Sequence, residues 1–460
     1  MRVARHLLVV GFALIVAISA SAGSVDFGGS LFNLTGVGNS AGVSSVPGST
    51  TGLVQEDVLK GWLQANLNSH LTLNFEVDGT YNTAPILPFG TTLLFVNADL
   101  LNLHGSYALP NGALRLVQFT VGRLMLSDFT TMVLSHEADG VVLDFEFPAV
   151  SLNVSAGYTG LVTKGASTIE LSKADLNDYA NTGVNFASPR MVEQVQASLL
   201  SIPGQKLTVA VILQQDLRGT SLDLADGSAE SLETQGSTTF DSSEGGLVNT
   251  QYFGLGMSGS VVGKLYYDVF SYLETGQELY YLGGSYQNLS FVGLLAGGGV
   301  HVPFPNALSS IIAARVYYAS GDPNASTVTE GATQSFSIFT PISRPILDNV
   351  FTPQLSNLVV LEASYSLKPF SNLGAGLPQK LQTNLQADVY FRPTGGAISE
   401  PEVPVGTGSY LGTEGDLSVN FNPASDVGTS LWGGLFFPGS AFASGAGLQF
   451  KAGLDVFINF

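Results

Sequence analysis

Residues Leu63 to Tyr81 read LQANLNSHLTLNFEVDGTY. The odd positions carry Leu63, Ala65, Leu67, Leu71, Leu73, Phe75, Val77 and Tyr81, broken only by Ser69 and Gly79. The even positions carry Gln64, Asn66, Asn68, His70, Thr72, Asn74, Glu76, Asp78 and Thr80, all polar. A strand turns successive side chains to opposite faces, so a period of two marks one apolar face and one polar face. Asn68-Ser69-His70 predicts a tight turn, which makes the stretch a hairpin of two such strands.

The same pattern continues outward in both directions. Val141, Leu143, Phe145 and Phe147 oppose Val142, Asp144 and Glu146. Pro148-Ala149 turns the chain, and the apolar parity then moves to Val150, Leu152, Val154, Ala156 and Tyr158, as a two-residue turn requires. Similar faces recur at Leu207–Leu213, Leu265–Val269, Val359–Leu367, Leu385–Phe391, Leu417–Phe421 and Phe450–Phe460. The prediction is an all-β chain.

Composition narrows the class. The chain has 460 residues, of which only 12% are charged, with 54 glycines and no cysteine. Without cysteine there is no disulfide framework, thiol nucleophile, Cys-ligated zinc or lipoprotein anchor. Seventeen basic residues stand against 36 acidic ones, a net charge of −19, so the basic footprint of a nucleic-acid binder is missing. Mean hydropathy of +0.28 argues against disorder.

Residues 1–22 predict a cleaved signal peptide. Arg2 and Arg5 precede the apolar run Leu7–Ile18, and Ala20-Ser21-Ala22 supplies a small-residue cleavage site. The expected organisation is thus a signal peptide at 1–22 and a single exported domain at 23–460. Strand-like sequence starts at Val25, so no separate plug domain is expected.

Alternation alone would also fit a soluble sandwich. Three features favour a transmembrane antiparallel up-and-down β-barrel. Short turns (68–70, 108–112, 148–149, 203–206, 303–308, 423–426) alternate with long segments (36–56, 124–139, 161–190, 216–249, 320–356, 393–410). That asymmetry is the mark of short periplasmic turns and long external loops. The strands are long enough to cross a bilayer when tilted. Aromatic residues stand at strand ends: Tyr81, Phe147, Tyr158, Tyr318, Phe391, Phe421 and Phe460. The strand count comes to eighteen, with both termini on the periplasmic side. Glycines 293, 297, 298 and 299 blur the strand at 286–300, so sixteen is the alternative.

Several motifs then resemble one family. Val121-Gly122-Arg123, Asp139-Gly140 and Gly157-Tyr158 resemble porins of the alginate-export and OprD-like type. Leu411-Gly412-Thr413-Glu414-Gly415-Asp416-Leu417, Phe437-Pro438-Gly439 and Ala319-Ser320-Gly321-Asp322 look like parts of the same group. The resemblance implies an eighteen-stranded barrel. It also implies recognition of the terminal aromatic Phe460 by the outer-membrane assembly machinery. An alginate substrate does not carry over, because a polyanion conduit needs a basic lumen.

Catalytic spellings are accidental, and no enzyme activity, cofactor or metal site is expected. Gly38-Asn39-Ser40-Ala41-Gly42 spells a nucleophile elbow but lies in a Gly/Ser-rich loop. Gly254 to Gly259 spells a dinucleotide fingerprint within a hairpin, with no helix to follow. Asp322, Asn324 and Glu330 are read as a solvated loop rather than a calcium site.

Function is therefore sought on the polar face. Parity places Glu76, Asp78, Asp144, Glu146, Asp268, Glu362, Asp388, Glu414, Asp416 and Asp455 in the lumen, with Lys264, Arg315, Arg392 and Lys451. Arg123 falls on the outward parity unless a bulge at Gly122 turns it inward. The expected function is a porin-like channel for passive diffusion of small hydrophilic solutes, weakly cation-preferring. The alternative is a transporter for hydrophobic ligands, or an adhesin that uses its long loops. Outer-membrane lipid is the expected surrounding, and monomer and homo-oligomer both remain open. The acidic stretch Asp216–Glu244, through Leu222, Asp223, Leu224 and Asp226, or else the loop at 320–356, is expected to form a constriction.

Overall fold

Lipid outside and water or packed loops inside impose opposite demands on the two faces of each strand, and the chain answers with a closed wall. The computed structural model describes residues 23–40, 51–84, 91–109, 112–181, 183–218, 247–261, 263–282, 285–324, 336–373, 376–400 and 402–460. The expected signal-peptide residues 1–22 and the expected constriction residues Leu222, Asp223, Leu224 and Asp226 lie outside the described residues.

The first six strands are β1 (Ser24–Gly38), β2 (Gly52–Asn66), β3 (Leu71–Ala84), β4 (Thr91–Ala108), β5 (Leu116–Ser127) and β6 (Ser135–Glu146). The next six are β7 (Val150–Tyr158), β8 (Arg190–Leu199), β9 (Gln205–Asp216), β10 (Val248–Ser260), β11 (Tyr266–Leu282) and β12 (Ser285–Phe304). The last six are β13 (Ser310–Ala319), β14 (Leu358–Leu367), β15 (Leu381–Phe391), β16 (Tyr410–Phe421), β17 (Val427–Pro438) and β18 (Gln449–Asn459). A short helix, α1 (Lys173–Ala180), lies between β7 and β8. Each strand pairs antiparallel with its sequence neighbours, and β18 returns to β1 from Ser30↔Asn459 to Gly38↔Lys451. The sheet has no open edge, so every strand is paired on both sides.

The expected count of eighteen strands is therefore the one observed, not sixteen. The strand that glycines obscured, β12, is the longest at 20 residues. Its glycines are needed because neighbours occupy their side-chain space. A Cβ at Gly297 would run into the rings of Phe270 and Tyr317, and one at Gly293 into the backbone of Phe339.

Outward parity is apolar and open, as a lipid-facing band requires. Leu255, Leu361, Leu385, Leu417 and Leu454 are all exposed. Arg123 also keeps the outward parity. Gly122 has φ +127°, but pairing runs without a slip through Val121↔Leu103 and Arg123↔Leu101. No bulge rotates it. Arg123 instead pairs with Asp139 at 2.6 Å, and Asp139 lies directly opposite Tyr158 at the loop rim.

Inward parity changes along the barrel axis. Near the turns it is polar: Gln118, Asp144, Asn153, Thr208, Ser364, Asn384 and Ser418. Near the loops it is largely apolar. Leu124, Leu126, Val192, Ile212, Tyr252, Tyr272, Leu295, Val360, Tyr390 and Phe436 form one buried cluster with loop residues Val133, Leu134, Phe339, Ile342, Val350, Phe351 and Leu355. The hydrophobic core of this protein thus sits inside the barrel, under loops that fold back into it. A uniformly polar inner face is corrected on this point.

Candidate functional site

Three loops build the interior. The shortest spans 128–134 between β5 and β6. Asp128 organises it: one carboxylate oxygen accepts from the Val133 and Leu134 amides at 3.1 and 2.8 Å. The other accepts from the Thr130 amide at 2.8 Å and from the Tyr272 hydroxyl at 2.7 Å. Phe129 then stacks on Tyr272 with ring centroids 5.3 Å apart. Gly256 on β10 makes room for that ring, since any Cβ there would strike Phe129. The loop therefore reaches from the β5–β6 wall to the β10–β11 wall.

The second loop, 320–357 between β13 and β14, is described at 320–324 and 336–357. Ser320 holds both of its ends, accepting from the amides of Phe339 and Asn357, each at 3.1 Å. Thr340 donates its amide to Glu274 at 2.7 Å and accepts from the Tyr252 hydroxyl at 2.6 Å. Ser343 then meets the first loop, donating to the Val133 carbonyl at 3.1 Å. Further on, Val350 and Phe351 donate their amides to the two oxygens of Glu414 on β16, at 2.7 and 2.8 Å. Phe351 lies flat on Phe436, with centroids 4.4 Å apart, and edge-on to Tyr390. This loop crosses from the β10–β11 wall to the β15–β16 wall.

The third loop, 159–189, contains α1. Asp175 on α1 receives two 2.8 Å bonds from Arg190 at the start of β8, and Arg218 lies 3.2 Å away. Burial pushes the Asp175 carboxyl up, but the adjacent Arg190 and Arg218 guanidinium groups outweigh that and hold it at about 2. Arg190 also reaches Asp216 at 3.1 Å. Arg344 of the second loop donates its amide to Thr168 at 2.8 Å, so the second and third loops are joined.

The open space lies on the turn side of the first loop. One cavity of about 430 Å³ is walled by Phe129, Thr130, Thr131 and Met132 on one side and by Lys206, Asp268, Arg315 and Tyr317 on the other. A second, about 410 Å³, lies between Asp128 or Phe129 and Asp144, Glu146, Asn153, Gln194, Gln196 and Lys206. Both share Phe129 and Lys206. Arg315 lies 3.7 Å from Glu362, so opposite charges meet at this level.

The other residues expected in the lumen are distributed as follows. Glu76 faces inward and pairs with Lys60 at 2.7 Å, and Lys60 also holds Asp99 at 2.8 Å. Asp78 is buried and accepts from the Thr80 hydroxyl at 2.7 Å. Asp455 accepts from the Trp432 indole at 3.0 Å, and the Lys451 ammonium sits 5.5 Å over the same ring. Asp388, Glu414 and Asp416 are inward but buried beneath the second loop. Two expectations are corrected. Lys264 lies in the β10–β11 turn, exposed at the rim and not on the wall. Arg392 lies one residue beyond β15, where its guanidinium donates to the carbonyls of Gly396, Pro404 and Gly408. It braces the β15–β16 loop, 392–409, and forms no ion pair with Asp388. Sequence reading passed over Lys60, Asp128, Lys206, Glu274 and Asp348. Glu274 shares the parity of Asp268, but the alternation read at Leu265–Val269 stops short of it; Asp128 and Asp348 lie in loops, where parity says nothing.

The motifs of the family resemblance lie where these loops meet the wall. Gly122, Gly140 and Gly157 form one transverse row across β5, β6 and β7. Ser320 and Asp322 fasten the ends of the second loop, Asp322 accepting from the Ser337 amide at 3.1 Å. Glu414 and Asp416 receive its far end.

A closed barrel of eighteen antiparallel strands, apolar outside and lined with folded-in loops, is an outer-membrane porin-type barrel. Residues 235–451 match the alginate-export family model, in support of the alginate-export and OprD-like resemblance. Among solved structures it is similar to three proteins of Pseudomonas aeruginosa. OccK9 (OpdG) superposes with TM-score 0.56 at 10% identity, covering 96% of this chain and 99% of that one. OpdL gives 0.52 at 15% identity, covering 95% and 99%. The outer membrane protein opdK gives 0.51 at 12% identity, also covering 95% and 99%. Among curated proteins, no sequence relative matches the chain.

Proposed function

We propose that this protein is a passive outer-membrane channel for small hydrophilic solutes, constricted by its own loops and weakly cation-preferring. The observation that carries this reading is the polar cavity between the β5–β6 loop and the wall bearing Lys206, Asp268 and Arg315. A wall of eighteen strands encloses a lumen wide enough for water. Loops 128–134 and 336–357 occupy part of it and leave the polar side toward the turns. Charges of both signs at that level favour weak selectivity. The acidic surplus of the chain tilts it toward cations, because a cleft lined mainly by one sign concentrates counter-ions.

Export in this reading follows removal of residues 1–22. Phe460, exposed beside Gly29 at the closing seam, is the aromatic residue offered to the assembly machinery. Planar-bilayer recording of the refolded barrel tests the function. It should conduct, and its reversal potential in a KCl gradient should favour K⁺ over Cl⁻. Anion preference would remove the selectivity, and an absence of conductance would remove the channel.

A further inference from the structure

Four carboxyl groups meet where the second loop lands on the β15–β16 wall. Asp348 comes from the loop, Asp388 from β15, and Glu414 and Asp416 from β16. One oxygen each from Asp348, Glu414 and Asp416 lies within 4.8 Å of the others, and all three residues are buried. The Asp388 carboxyl lies against that of Asp348. It is 2% exposed, and its Oδ2 has no hydrogen-bond partner. Asp416, 7% exposed, likewise has an unpartnered Oδ2.

The donors that do reach this cluster are neutral. They are the Tyr390 hydroxyl and the Asn349 backbone amide on Asp348 at 2.7 and 3.0 Å, the Asn349 side-chain amide on Asp416 at 2.8 Å, the Gln386 side chain on Asp388, and the Val350 and Phe351 amides on Glu414. Among the described residues, no lysine or arginine forms an ion pair with any of the four; Lys451 acts on Glu414 through space only. Burying a charge without a partner is costly, so buried carboxylates are paired, protonated or metal-bound. Here acceptor atoms point at one another with no donor between them.

We propose that Asp348, Asp388, Glu414 and Asp416 form a calcium site that pins the 336–357 loop to the barrel wall. The chemistry fits a hard cation, which takes oxygen ligands only. Ligands of one calcium ion, each at about 2.3–2.6 Å, lie at most about twice that distance apart, which accommodates the observed spacing. Magnesium fits less well. It keeps several waters and demands near-octahedral order, whereas this site is nearly dry and draws its ligands from three separate segments. The ion would supply the charge that the neutral donors do not, and it would bind the loop and the wall at once.

Equilibrium dialysis with radioactive Ca²⁺ tests the site on the folded, chelator-stripped barrel in detergent at pH 7. Saturable binding of one ion per chain, tighter than about 1 mM, is expected. Asp348→Asn and Asp416→Asn should each weaken it by about tenfold or more. Asp144→Asn, on a distant part of the inner wall, should leave it unchanged. Heat-modifiable migration on gels reports that each variant is folded. Wild-type barrel that is folded yet binds no Ca²⁺ would overturn the proposal and leave shared protons to hold the cluster. Binding that survives the Asp348→Asn/Asp416→Asn double variant would overturn it as well. Because the readout is binding, its failure is separate from any failure to conduct.

Discussion

The Tyr272 hydroxyl donates to the Asp128 carboxylate at 2.7 Å across 144 residues of sequence. One partner lies in a loop and the other on the far wall of the barrel. The bond fixes how far the β5–β6 loop projects into the lumen, and the Phe129–Tyr272 stack adds an apolar contact to the same pair of segments.

Tyr272→Phe keeps the ring and removes that bond. A hydrogen bond to a charged group contributes about 1.5–3 kcal/mol, here chiefly to the seating of the loop. The variant should remain a folded barrel with higher and noisier single-channel conductance. Conductance identical to wild type would mean that this loop does not narrow the path.

Phe351 is enclosed by Phe436, Tyr390 and Phe442. Phe351→Ala empties that space, at a cost of about 3–5 kcal/mol for a buried aromatic. The loss should appear first as release of the 336–357 loop. Limited proteolysis of intact barrels should cut within that segment in the variant and spare the wild type.

Opposite charges at the cavity predict opposite shifts in selectivity. Arg315→Gln should strengthen preference for K⁺, and Asp268→Asn should weaken it. Both effects should be larger at 0.01 M salt, where screening extends to about 30 Å, than at 1 M, where it falls to about 3 Å. Reversal potentials at the two salt concentrations decide the matter.

Acid should release the third loop late. The Asp175 carboxyl is held at about 2, below its usual value of about 3.9. A depressed carboxyl contributes stability that is complete above the unfolded value and is lost as pH falls through the folded one. Pepsin should therefore spare the α1 region near pH 4 and cut it as pH approaches 2. Asp175→Asn leaves Arg190 and Arg218 with one fewer buried partner, a loss of about 3–5 kcal/mol, and should open the loop already at neutral pH.

Two deletions separate the candidate constrictions. Removing 336–357 should raise conductance by more than removing 220–242, because the first segment is bonded to inward residues on β11 and β16. A larger effect of 220–242 would instead give the gate to the acidic segment.

The strands, their number and their outward faces were legible in the linear chain. Alternation at Leu63–Tyr81 or Val359–Leu367 arises within each strand, from a period of two and a contrast between lipid and water. Each strand could be read without knowing its neighbours. The inner half beneath the loops was not legible. Tyr252, Leu295, Val360 and Phe436 point inward yet are apolar, because Phe339, Val350 and Phe351 cover them in place of water. Likewise Asp128 and Asp348 read as ordinary loop acids until folding sets them beside Tyr272 and Glu414. Contacts between residues separated by scores of positions leave no local period to detect. They exist only once the barrel closes and its wall offers the loops a surface on which to pack.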